Sequence, residues 1–236
     1  FGWQANFIFF IVYAVLVFLM MLKMPETLKN PVPLKIKKTV NNYGVMLRHP
    51  VYWAGVVCMG SAYSLITIFN VVGPFLIQNV LHHSVIVFGR VALFMGLGWF
   101  VGSALNRVLL RHFKLYQLMP VRLIAGLSIS VASLLIGLLF SAHLWLYVLP
   151  TFAVFFVMAG VFPAGMSKCM SLFPHMGGTS AALMSFMFSA FAAVMTVVAS
   201  YLESATQIPS SIAYIVLISF CLLCYALLMH RDLKSE

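Results

Sequence analysis

The sequence predicts an all-α polytopic membrane protein, and three observations carry the prediction. Of 236 residues, 63% are hydrophobic and only 8% charged, against about 25% charged in an ordinary soluble domain. The apolar residues come in uncharged runs of about 20 or more, the length that crosses a bilayer core of about 30 Å as a helix. The basic residues lie almost wholly between those runs. Fourteen basic and four acidic side chains are too few to cover a soluble fold, which leaves about a third of its surface in water. A net charge of +10 set out this sparsely marks membrane flanks and not a phosphate-tracking surface, so nucleic acid is not an expected partner. The four cysteines, with Cys221 and Cys224 inside an apolar run, read as packing residues and not as a disulfide framework.

Each element follows in order. Gly2–Leu22 is uncharged and stops at Lys23, Pro25 and Glu26. Residues 23–49 are the most polar and basic part of the chain; Pro25, Pro31 and Pro33 disrupt helix there, and Lys35–Lys38 hold the segment at the lipid surface. His49 to Gly89 carries no formal charge, and His82–His83–Ser84 marks a tight turn that divides spans near Val51–Asn79 and Val85–Asn106. Beyond an Arg107–Arg122 loop, Ser141 and His143 separate Leu123–Phe140 from Leu144–Ala164. A polar interval over Lys168–Gly178 precedes Thr179–Leu202, Glu203–Pro209 forms a turn, and Ser210–Met229 is the seventh span.

Lys and Arg in short connections set direction. With residues 23–48 inside the cell, every one of the 14 basic residues falls inside except Arg90, so the N-terminal end is expected outside and the C-terminus in the cytoplasm. The expected organisation is one helix over 1–22, a cytoplasmic linker over 23–49, a six-helix domain over 50–229 and a tail over 230–236. One span before a linker and six after it, with phenylalanine first, suit a 6+6 protein represented without its first five spans. The missing N-terminal helices of the same chain are then expected partners of this part.

Polar groups inside spans are costly in hydrocarbon unless paired. Tyr63, Asn70 and Gln78 recur at spacings that put them roughly on one helical face. Two readings stand: a cavity-facing stripe that takes substrate, or hydrogen bonds that only hold the bundle. Gly73–Pro74 weakens the ladder beside them, as a hinge or as a static kink. Arg90 lies about one turn inside the third span, either snorkelling to the outer headgroups or serving as a gate cation. Trp3, Trp53 and Trp145 lie at span ends, where interfacial anchoring is the default. Trp99 lies deeper, and Tyr63 can share an aromatic cavity with it. Gly98–Gly102 and Ala181–Ser185–Ser189–Ala193 fit small-residue helix contacts. Gly160, Pro163 and Gly165 let the fifth span bend, with Lys168 beyond them snorkelling inward or joining an inner gate. Most of the 15 methionines read as ordinary packing. Nothing arranges a metal site, a nucleotide loop or a nucleophile, so neither cofactor nor metal nor enzymatic activity is expected.

A family pattern overlies these features. Gly2–Trp3 with Asn6–Phe7 opening a span, then Met24–Pro25–Glu26–Thr27–Leu28, resembles the end of the sixth helix of major facilitator superfamily transporters. Gly73–Pro74–Phe75–Leu76–Ile77–Gln78, Phe88–Gly89, Phe173–Pro174 and Gly177–Gly178 with Thr179–Ala182 are further matches. The chain resembles the C-terminal portion of that family, in its Bcr/CflA-like branch of drug:proton antiporters. The loop after the third span is similar to the family's cytoplasmic gating motif: Gly102, Arg107 and Arg111 match, while Asn106 replaces the aspartate and Leu109 and Leu110 replace a glycine and a basic residue.

The resemblance implies a secondary transporter of a bacterial inner membrane. It exports amphipathic small molecules or drugs in exchange for protons, with the proton gradient as the coupling source and protonatable carboxylates in the N-terminal half. The alternatives are a seven-helix receptor or retinal-type protein, or a transporter of a small metabolite. Against the retinal reading, the last span has no lysine for a Schiff base.

Overall fold

A computed structural model describes residues 4–25, 36–202 and 206–230. Gly2, Trp3, linker residues 26–35, Glu203 and the basic tail Arg231–Lys234 lie outside the described residues. The described chain is helical without a strand, and seven helices are long and apolar enough to cross a membrane. Lipid imposes this outcome, because a spanning segment finds no water for its backbone groups and must satisfy them internally. The chain divides into two compact units, residues 1–38 and 39–236.

The first unit contains α1 (Gln4–Met21), whose mean hydropathy of 2.2 has no polar face. Helix α2 (Ile36–Leu47) begins within the segment expected to be a linker. In the second unit its Met46 is buried, and Tyr43 packs on a cluster that includes Tyr52, Met59 and Met184. Helix α3 (Pro50–Phe75) opens with proline at its first position, where no ladder N–H is lost. It runs through Pro74 and widens into a π-helical turn over Leu76–Val80. Pro74 has no N–H to offer the carbonyl of Asn70, and the wider turn follows directly. The expected turn is present: His82 adopts the left-handed region at φ 53°.

Helices α4 (Val85–Leu109), α5 (Leu115–Leu139), α6 (Leu144–Met158) and α7 (Val161–Ser171) follow. The Arg107–Arg122 loop is corrected. Helix α5 starts eight residues before Leu123, so Arg122 lies two turns inside a helix. Gln117 explains the early start, since its Oε1 accepts from the Lys114 backbone N–H at 3.1 Å and closes the N-terminus. Only the short stretch 110–114 connects α4 to α5. The fifth span is longer than expected, Leu144–Ser171, and is broken between α6 and α7 at Ala159–Gly160. Pro163 falls in the first turn of α7, where an absent N–H costs little.

A 3₁₀ turn over Pro174–Met176 leads to α8 (Gly177–Ser200), and α9 (Ile208–Cys224) ends in a second π-helical turn, Tyr225–Met229. Helix α3 is the centre of the second unit, flanked by α7, α8 and α9; α5 packs between α6 and α9, and α4 lies on α6. Pro120 illustrates how the bundle uses a gap in a ladder. It leaves the Tyr116 carbonyl without its usual donor, and the Tyr225 hydroxyl donates to that oxygen at 3.1 Å. Nearer the C-terminal end of α5, the Ser133 and Ser211 hydroxyls meet at 2.9 Å and Gln207 Nε2 donates to the Ser133 carbonyl at 3.1 Å. That network ties α5 to the start of α9.

Candidate functional site

Most of α3 is enclosed by its neighbours. Between Trp53 and Phe75 its exposed residues are Tyr63 and Asn70, two turns apart on one side. Gln78, in the π-helical turn, is half-buried on the same helix. A helix buried elsewhere therefore opens along the line that carries its largest polar side chains. Buried serines on the covered faces, Ser61 and Ser64, leave hydroxyls with no hydrogen-bond partner.

Asn70 borders a partly open cavity of about 210 Å³ between α3, α4 and α6. Its other walls are Ile66, Phe69, Met95, Trp99 and Phe155. The Trp99 and Phe155 rings meet edge to face at 6.2 Å, and Phe69 meets Phe155 the same way at 5.7 Å. Gly96, with nothing within 4 Å of the position a Cβ would take, keeps the α4 side clear. The cavity offers aromatic faces, one thioether and one amide, with no charge. That combination suits a small, largely apolar molecule oriented by a single hydrogen bond. Asn70 and Trp99 are thus brought together, but Tyr63 does not share their cavity. Its ring lies on Phe188 at 5.6 Å and Phe162 at 6.3 Å, on the α7–α8 side. Gln78 does not border the cavity either.

A second cluster forms at the other end of the same helices. A Cβ on Gly102 would strike the Phe156 carbonyl oxygen, so glycine sets how closely α4 lies on α6. One turn on, Asn106 is buried. The Asn106 amide and the Arg122 guanidinium both lie within 3 Å of where a Gly160 Cβ would stand. Three helices thus converge on the α6–α7 break. Arg122 is 8% exposed, and its Nη1 donates to the Val157 carbonyl at 2.9 Å, near the C-terminal end of α6. A cation there is favoured by the carbonyls that the end of a helix leaves unpaired.

Residues 1–197 match the family model of the Major Facilitator Superfamily. The chain belongs to that superfamily. A search of curated proteins gave no match. With seven apolar helices of spanning length, membership makes this an integral membrane transporter with a small-molecule substrate, and it sets aside the receptor and retinal readings.

The remaining motif residues of this superfamily member separate by exposure. Gly102 and Asn106 are buried where α4 meets α6, whereas Arg107 and Arg111 are exposed at the C-terminal end of α4. Arg90 is exposed one turn into α4. Lys168 differs from the snorkelling expectation: it is buried, because α7 continues as helix to Ser171 and turns this face into the bundle. Ser185, Ser189 and Ala193 are exposed, so the α3–α8 contact uses Leu183, Met184 and Ala192 instead of the small-residue stripe. Arg122 is the residue that sequence reading missed. Its available signal was the Lys114–Gln117 cap, which places an arginine inside the following helix.

Proposed function

We propose that this transporter exports amphipathic small molecules in exchange for protons, and that Asn70 and Trp99 border the substrate. The single observation supporting the reading is the aromatic cavity beside Asn70 on the open side of the otherwise enclosed α3. A polar stripe of this kind is poorly matched to lipid and well matched to a water-accessible path. On this reading residues 50–229 form the C-terminal half of a two-half transporter, joined by the linker 23–49 to the helix over 1–22. Tyr63, Asn70 and Gln78 then face the other half.

Gly73–Pro74 on α3 and Gly160–Pro163 between α6 and α7 are the proposed flexing points for alternating access. Gly102, Asn106, Arg107 and Arg111 form the proposed inner gate, and Arg90 an outer one. No Asp or Glu occurs among the described residues, so the proposal places the proton-carrying carboxylate in the N-terminal half. The orientation follows the basic residues, with the α4–α5 connection in the cytoplasm of a bacterial cell and the outer turn at His82 facing away from it.

Reconstitution of the complete transporter into vesicles tests the proposal. An imposed pH gradient should drive uptake of a lipophilic aromatic drug, and adding drug should move protons the other way. Absence of drug-dependent proton movement over a broad panel would reject antiport. Gradient-independent uptake that saturates would keep the cavity and reject the coupling.

A further inference from the structure

The fifth span, Leu144–Ser171, breaks at Ala159–Gly160, near its middle. The ladder of α6 closes with the Ala159 N–H on the Phe155 carbonyl at 2.9 Å. That of α7 opens with the Ala164 N–H on the Gly160 carbonyl at a long 3.4 Å. Pro163 has no N–H to give the Ala159 carbonyl. At membrane depth, backbone leaves its ladder only where the protein or a wet cavity satisfies it.

Arg122 of α5 supplies such a partner. Its Nη1 donates at 2.9 Å to the carbonyl of Val157, in the last turn of α6, where carbonyls run out of ladder donors. The side chain is more than nine-tenths buried. No Asp or Glu occurs among the described residues, so among them the carbonyl end of α6 is what answers the charge. Gly160 makes the contact possible, since a Cβ there would stand 2.5 Å from the Arg122 Nη1 and 2.8 Å from the Asn106 amide carbon. A glycine at the break, an arginine of α5 and an asparagine of α4 therefore fit one another. The buried Nε has no hydrogen-bond partner, so the guanidinium is not locked in a closed network. Its hold on α6 is a single polar contact, which can be made and broken.

We infer that Arg122 is a positioning residue for transport: it latches the α6–α7 break by holding the end of α6 where ladder bonds are missing, and the latch opens when the span bends. The inference rests on the reading of Gly160–Pro163 as a flexing point and adds the residue that controls it. Phe155, two residues before the latched carbonyl, is a wall of the Asn70–Trp99 cavity. A change at the break thus reaches the cavity within one turn of helix.

The test is the distance across the break, measured by double electron–electron resonance in the full chain with spin labels at Leu149→Cys in α6 and Met170→Cys in α7. Both positions are exposed. Cys58, Cys169 and Cys221 are buried, and the half-buried Cys224 is replaced by serine. Helical rise puts the labels about 30 Å apart. With Arg122 present, one distance should dominate. Arg122→Met keeps most of the volume but removes a hydrogen bond from a charged group, and should raise the population outside that peak about tenfold. Arg122→Lys keeps a cationic donor and should stay close to wild type, because a single bond and not a bidentate fork is at stake. Gly160→Ala sets a Cβ in the place of the guanidinium and should reproduce the Arg122→Met distribution, which carries the test if Arg122→Met does not fold. Pro163→Ala returns an N–H to the Ala159 carbonyl and should lengthen the distance toward that of an unbroken helix. A distance moved by Pro163→Ala but not by Arg122→Met, or equally broad in Arg122→Met and Arg122→Lys, would overturn the latch and keep the flexing point. A distance that no variant moves would overturn both. The measurement needs no substrate, so a failure of drug–proton exchange leaves it readable.

Discussion

Replacing Gly102 by alanine tests the tightest α4–α6 contact. The added Cβ would meet the Phe156 carbonyl oxygen, with the carbonyl carbon at 3.0 Å and the Ala159 Cβ at 3.1 Å. Two of these three atoms are backbone, so no side-chain rotation relieves the contact. Restoring ordinary separation requires α4 to withdraw from α6 by up to about 1 Å, a gap that forfeits a quarter to a half of each dispersion contact it opens. Overpacking of this kind costs about 1–3 kcal/mol, and a rigid obstacle places it near the upper figure. Alanine returns about 0.8–1.0 kcal/mol in helix propensity, leaving a net loss of about 2 kcal/mol. Gly89, on the same helix, has nothing within 4 Å of its Cβ position, so Gly89→Ala should gain about 1 kcal/mol from propensity alone. The two variants should therefore differ by about 3 kcal/mol. Thermal unfolding in detergent can be followed by a thiol-reactive fluorophore, because Cys58, Cys169 and Cys221 are buried in the folded protein. A Gly102→Ala midpoint equal to that of Gly89→Ala would refute the close α4–α6 contact.

Three further outcomes are expected. Tyr225→Phe removes the donor to the Tyr116 carbonyl and should cost about 1 kcal/mol; in Pro120→Ala, which gives that carbonyl a ladder N–H, the same change should cost less, and strict additivity in the double-mutant cycle would contradict the pairing. Asn70→Leu should weaken a transported aromatic substrate about two- to tenfold, and Trp99→Ala should weaken it as well. Tyr63→Phe should leave substrate affinity unchanged, since Tyr63 does not border the cavity; binding measured by substrate-induced thermal shift separates the three. Arg90→Gln should change stability by no more than about 0.5 kcal/mol, as befits an exposed side chain, and a larger loss in the same thermal assay would place Arg90 in a structural ion contact.

Some boundaries could be read directly from composition. Val51–Asn79 is observed as Pro50–Val80, and Ser210–Met229 as Ile208–Met229. Both are bounded by turn or proline chemistry, at His82 and Pro209. The fourth span was misplaced because Arg122 was treated as a terminator. A single charge ends a span only if it must reach water, and Arg122 instead reaches a carbonyl at the end of α6. Lys168, for which snorkelling and an inner gate both stood, is buried, which goes against snorkelling. Of the candidate site, Asn70 was legible as a polar residue on a helical face, and Trp99 as an aromatic too deep for interfacial anchoring. Their meeting, and the absence of Tyr63 from it, were not.

The sequence by itself determined the class of protein and the number of helices, among the described residues, long and apolar enough to span a membrane. Those properties depend on transfer from water to hydrocarbon, which is a sum over local composition. The tertiary structure alone decided which faces look inward. Lipid is as apolar as the interior of the bundle, so a spanning helix needs no polar outer face, and its sequence leaves its orientation about the axis largely unmarked. Only packing could bring Asn106, Arg122 and Gly160 together from three helices, and only packing could enclose α3 so that Asn70 opens onto an aromatic cavity.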